Sequence, residues 1–152
     1  MIELPDIILR LSAATLIGSV IGLNRNMHHK PTGLRTLALV ALGSALSVLV
    51  ATEAGTGANP ASPVLQGIVT GVGFLGAGVI MHDDSASKVH GLTTAAAIWV
   101  TATLGASCGF GFWRPALVST ILTALILIFG GGLEKAIHRR LHPERDDEDQ
   151  QK

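Results

Sequence analysis

The chain has 152 residues, 48% of them hydrophobic, with 18 glycines, 14% charged side chains and a formal net charge of zero. A soluble domain of this length carries about 25% charge. The composition excludes a disordered chain and a basic nucleic-acid binder, and a single cysteine excludes a disulfide scaffold. The few charges are also unevenly placed: 36–81 carries only Glu53, 89–133 carries only Arg114, and half of all charged side chains fall in 134–152.

Crossing a bilayer takes about 17–25 mostly apolar helical residues. Five stretches reach that length: 7–23, 36–52, 64–81, 92–112 and 116–133. Span one starts without a basic segment, since Glu3 and Asp6 precede Arg10, so it is expected to stay in the membrane rather than act as a cleavable signal. The break at 24–35 holds three cations and Pro31. The break at 53–63 is rich in Gly, Asn, Pro and Ser, 82–90 is a polar loop, and Trp113-Arg114-Pro115 reads as a short stop. The expected fold is all-α: a polytopic membrane bundle of five transmembrane helices over residues 1–133, followed by a charged cytoplasmic tail over 134–152. The tail opens with basic residues suited to anionic headgroups and ends in an acidic run.

Loop cations set the direction of insertion. Arg25, Lys30, Arg35, Lys88, Lys135, Arg139, Arg140, Arg145 and Lys152 fall on one side, and only Arg10 and Arg114 on the other. The N-terminus is therefore expected outside and the C-terminus in the cytoplasm. Arg10 is expected to snorkel to the outer surface, the alternative being a buried pairing role. Phe110, Phe112 and Trp113 fall at the outer interface, and Trp99 falls mid-span against a helix or lipid.

Shifting the sequence by 58 residues aligns spans one and two with spans three and four. Lys30-Pro31-Thr32-Gly33-Leu34-Arg35-Thr36-Leu37-Ala38 then meets Lys88-Val89-His90-Gly91-Leu92-Thr93-Thr94-Ala95-Ala96, and Gly18 meets Gly76. The first four helices are expected to form two parallel helix-hairpin repeats.

Gly18 and Gly22, Gly67 and Gly71, and Gly105 and Gly109 are each four residues apart, on one face of a helix. Such stripes let membrane helices approach closely, either within the bundle or across a homodimer. Gly71-Val72-Gly73-Phe74-Leu75-Gly76 matches a dinucleotide-binding pattern in spelling, but it lies inside an apolar span with no strand before it, so it is read as a packing segment.

Polar groups gather at the ends of the two hairpins: Asn24, Arg25, Arg35 and Thr36 on one, Asp83, Asp84, Lys88, His90, Thr93 and Thr94 on the other. If the hairpins pack together, these sets converge. Arg35 then locks to Asp83 or Asp84, or the carboxylates ligate a hard cation with Thr hydroxyls, or the groups only cap helices at the interface. His28, His29, His82 and His90 lack metal-ligand spacing and read as loop histidines. Cys108 has no His–Asp set near it in sequence. No nucleophile elbow, zinc signature or phosphate loop is present, so neither enzymatic activity nor a cofactor is expected.

Four segments together resemble the MgtC/SapB family of bacterial inner-membrane proteins. They are Ile21-Gly22-Leu23-Asn24-Arg25, 30–36, 71–78, and His90-Gly91-Leu92-Thr93-Thr94 with the following Ala95-Ala96-Ala97-Ile98-Trp99. The resemblance implies five spans, the orientation given by the loop cations, and a link to low-magnesium growth and survival inside host macrophages. It implies a membrane regulator rather than an established magnesium transporter. This chain carries Asn24 where the family has glutamate after Ile-Gly-Leu. It resembles a short form lacking the soluble C-terminal domain of the better-known virulence members. Two functions follow: a non-enzymatic regulator that binds a membrane-protein partner through its small-residue faces, or a small ion or solute transporter with a pathway between the repeats.

Overall fold

A computed structural model describes residues 2–28, 30–55, 61–83 and 88–141. Five helices appear in chain order: α1 (Leu4–Met27), α2 (Leu34–Ala54), α3 (Ala61–Val79), α4 (Leu92–Gly109) and α5 (Trp113–Leu141). All five are long and apolar enough to cross a membrane. Large apolar side chains lie bare around the bundle, among them Leu16, Leu39, Phe74, Leu117, Ile126 and Phe129. A soluble monomer does not tolerate apolar exposure on this scale, and a bilayer covers it.

Three of the six prolines begin helices rather than stop them. Pro5, Pro63 and Pro115 each fall in the first turn of α1, α3 or α5, where the missing N–H has no intrahelical partner to lose. Trp113-Arg114-Pro115, expected as a break, is therefore the opening of α5. The turn before it is shorter, with Gly111 at φ +77 and the Phe110 and Phe112 rings stacked 5.6 Å apart. The polar stretch between spans three and four also departs from expectation. It contains a two-stranded antiparallel hairpin, β1 (Met81–Asp83) with β2 (Lys88–His90), in the register Met81 to His90.

α1 packs on α2, and α3 on α4, so each repeat is a helical hairpin; α4 also packs on α2 and α1 and sits at the centre of the bundle. The 58-residue repeat recurs as geometry. A Cβ on Gly18 would strike the backbone of Leu37, and a Cβ on Gly76 would touch Ala95; both members of the pair are shifted by 58. Likewise Gly22 lies against Gly33 and Leu34, while Gly91 lies against Ile80. The second repeat keeps the close approach but carries its glycine on the opposite partner.

Two apolar clusters fill the interior. Ile21, Leu37, Val72, Ile98, Ala102 and Leu104 form one; Ala14, Ala41, Ala45, Cys108 and Ala116 form the other. Ala116 in the second cluster, and half-buried Leu127 against the first, join α5 to the bundle. Most of the rest of α5 up to residue 132 is exposed or half-buried.

Candidate functional site

The glycine stripes of α1 and α4 clasp α2 from two sides. Cβ atoms on Gly18 or Gly22 would come closer than 3.0 Å to the α2 backbone or the residues leading into it. The same holds for Gly105 against Ala41 and Gly109 against Ala45. Helices this close gain dispersion along their length, the main attraction available where lipid is as apolar as leucine. These four glycines are thus used inside the chain. Gly67 and Gly71 are different: nothing lies within 4 Å of a Cβ built at either.

Arg25 stands in the last turn of α1, where the carbonyl end of the helix dipole favours a cation. Its side chain is buried, with 3% exposure, and its Nη2 donates to the hydroxyl of Thr94 in the first turn of α4. Thr94 is buried as well. Among the described residues, the Nε of Arg25 and the hydroxyl of Thr32, on the α1–α2 connection, are buried without hydrogen-bond partners. The polar ends of the two hairpins do meet here, through Arg25 and Thr94.

The other patch residues spread outward. Arg35, Thr36 and Thr93 are exposed and Asn24 is half-buried. Asp83 lies on β1, and Asp84 is outside the described residues, so the expected Arg35 lock has no described geometry. Among the described residues no group of three or more His, Cys, Asp or Glu is placed to hold a metal ion. Thr94 is poorly suited to a cation, because its hydroxyl accepts from a guanidinium whose charge would repel one.

A second arginine, Arg10, works at the opposite end of α1. Instead of snorkelling freely, it donates from Nη1 to the Gly109 carbonyl at 2.8 Å and pairs through Nη2 with Asp6 at 2.7 Å. Gly109 is the last residue of α4, so the cation also meets the negative end of that helix. Fifteen residues separate Arg10 from Arg25 and fifteen separate Thr94 from Gly109, about 22 Å of helix on each side. The two arginines therefore staple α1 to α4, antiparallel, at both ends of the bundle. The sequence grouped the two hairpin ends, but nothing in it says which residues of α1 meet which of α4. The available signal was the stripe Arg10-Ala14-Gly18-Ile21-Arg25 at helical spacing, a small-residue seam closed by a cation at each end.

On the side of α2 away from α1 lies a groove shared with α3. Arg35, Thr36, Leu39, Val40, Gly43, Ser44 and Ser47 form one wall; Gly67, Ile68, Gly71, Val72 and Leu75 form the other. Ser47 turns its hydroxyl inward to the Gly43 carbonyl at 2.9 Å, which leaves the wall largely apolar below Arg35.

The chain matches the family model described as the MgtC family over residues 11–136. It is 47% identical over 129 residues to Protein SrpB of Synechococcus elongatus, covering 78% of this chain and 71% of that one. It is 39% identical over 132 residues to Protein SapB of Bacillus subtilis, covering 82% of this chain and 56% of SapB. With Protein MgtC of Salmonella typhimurium it shares 44% identity over 117 residues, 76% of this chain and 48% of MgtC. No solved structure matches the chain.

Proposed function

The chain belongs to the MgtC family, and from that premise we propose that it is a non-enzymatic regulator in the bacterial inner membrane. It acts on a membrane-protein partner, in keeping with the low-magnesium adaptation and intracellular survival that the family resemblance implies. The match spans 48% of MgtC and 56% of SapB, and the proposal rests on the membrane domain alone. Its N-terminus faces outward and its C-terminus the cytoplasm, following the nine-to-two distribution of loop cations.

One observation carries the regulator reading over a transporter. The α2–α4 seam, where the two hairpins pack most closely, is closed by backbone contact. Gly105 and Gly109 of α4 rest against Ala41 and Ala45 of α2 with no room for a methyl group. An ion crossing there would have to part helices at the site of their closest packing. Partner contact, with a second copy or another membrane protein, falls to the bare apolar faces of α3 and α5 rather than to the consumed stripes of α1 and α4.

The test is cation flux into proteoliposomes read with Mg2+-, K+- and H+-sensitive dyes, alongside growth in low magnesium of a family-deficient host. The expected result is restored growth with flux no greater than that of empty vesicles. Robust flux that Arg25→Met or Thr94→Val abolishes would establish the transporter reading instead.

A further inference from the structure

The groove between α2 and α3 has a volume of about 480 Å3 and a distinct end. Its α2 wall runs from Arg35 to Ser47, about 18 Å at 1.5 Å per residue. That matches one leaflet, since the hydrocarbon core of a bilayer is about 30 Å thick. Along this length the groove is shallow and open to the outside of the bundle, a slot along its surface. The slot is kept open by glycine: a Cβ at Gly43, Gly67 or Gly71 would meet nothing within 4 Å.

The chemistry is graded along the slot. Leu39, Val40, Ile68 and Leu75 make its walls apolar, while Arg35 stands exposed at the mouth. That mouth is also the start of α2, where Gly33 supplies no side-chain cap and the positive end of the helix dipole favours an anion. A hydrocarbon chain with a negative headgroup satisfies both parts. A transmembrane helix supplies no such headgroup, and it extends across both leaflets, past the end of the groove at Ser47.

We propose that the α2–α3 groove holds one anionic phospholipid, its acyl chain along Gly43 and Gly71 and its phosphate on Arg35. The lipid comes from the leaflet at the α1–α2 connection, the cytoplasmic leaflet in the orientation given above. Arg35 binds the phosphate oxygens through paired N–H groups, a geometry that lysine does not offer. The site is separate from the closed seam, so it stands whether the protein regulates or transports.

The test uses the full chain, delipidated in detergent and supplied with dioleoylphosphatidylglycerol or dioleoylphosphatidylcholine, with retained lipid counted by native mass spectrometry. One phosphatidylglycerol per chain is expected, held in preference to phosphatidylcholine. Arg35→Gln should weaken its retention about fivefold, the factor expected for one cation at an anionic surface. Lys30→Gln, an exposed cation outside the groove, should leave retention unchanged. Gly71→Leu should remove both lipids by filling the slot. Equal retention of the two lipids, equal loss in the Arg35 and Lys30 variants, or unchanged binding in Arg35→Gln overturns the proposal. So does a Gly71→Cys chain that cross-links to a second copy, since the groove would then be a protein interface.

Discussion

Arg25, in the last turn of α1, donates to the hydroxyl of Thr94, 69 residues further on in the first turn of α4. Removing a partner from a charged donor costs about 1.5–3 kcal/mol in soluble proteins. Interhelical hydrogen bonds in membranes average nearer 0.6 kcal/mol, because the unfolded chain also finds partners. Burial of Arg25 at 3% exposure places it toward the upper membrane range. Thr94→Val should therefore destabilise the bundle by about 1–2 kcal/mol, measured by unfolding in mixed micelles. Arg25→Met combined with Thr94→Val should lose less than the sum of the two changes made singly. A Thr94→Val protein as stable as wild type would show that the bond contributes nothing.

The glycines divide into two classes with opposite expectations. Gly105→Ala places a methyl group against the Ala41 backbone and must push α4 from α2, at about 1–3 kcal/mol for overpacking. Gly71→Ala meets open space and should be neutral or slightly stabilising, since alanine is the better helix former by up to about 1 kcal/mol in water. Thermal unfolding of the two variants side by side decides this, and comparable losses would contradict the packing described.

The repeat makes a sharper comparison at its matched loop glycines. Gly91 sits at φ +95 with the Val79 carbonyl in the space of a Cβ, whereas Gly33 is at φ −109 and faces only the Asn26 side chain at 3.3 Å. Gly91→Ala should sharply reduce folded protein in the membrane, and Gly33→Ala should be mild, because a side chain moves aside and a backbone carbonyl does not. Fluorescence-detected size exclusion of both variants reads the difference. Equal yields would argue against the left-handed geometry at Gly91.

Orientation is tested with a membrane-impermeant thiol reagent on a Cys108→Ala background. In intact cells, a cysteine replacing the exposed Glu53 should be labelled, and one replacing the exposed Lys30 should be protected until the membrane is opened. The opposite pattern would invert the topology.

Five spans were legible in the sequence because bilayer thickness fixes a length and charge is excluded over it. The ends were less so. Asn24 and Arg25, read as loop, belong to α1, because a helix continues past the apolar run when its last turn reaches the interface. Pro115 looked like a stop and proved a start, since the same missing N–H is costly inside a helix and harmless in its first turn. In the polar patch, the convergence of the two hairpins followed from the repeat. Which members would meet did not follow: Arg25 and Thr94 pair, while Arg35, Thr36 and Thr93 stay exposed. Hydropathy gives the depth of a residue but not its azimuth around the helix relative to neighbours.

By itself, the sequence determined the solvent, the number of crossings and the internal repeat, because each depends on composition or spacing along one chain. Only the tertiary structure decided which glycines are spent and which stay open. Gly18, Gly22, Gly105 and Gly109 close on α2, and Gly67 and Gly71 line a groove. All six have the same spacing of four. What separates them is that α4 takes the centre of the bundle and packs against α2, leaving α3 on the outer side with a gap beside it. That choice is set by the fit of whole helical surfaces, a property of pairs that no single helix carries.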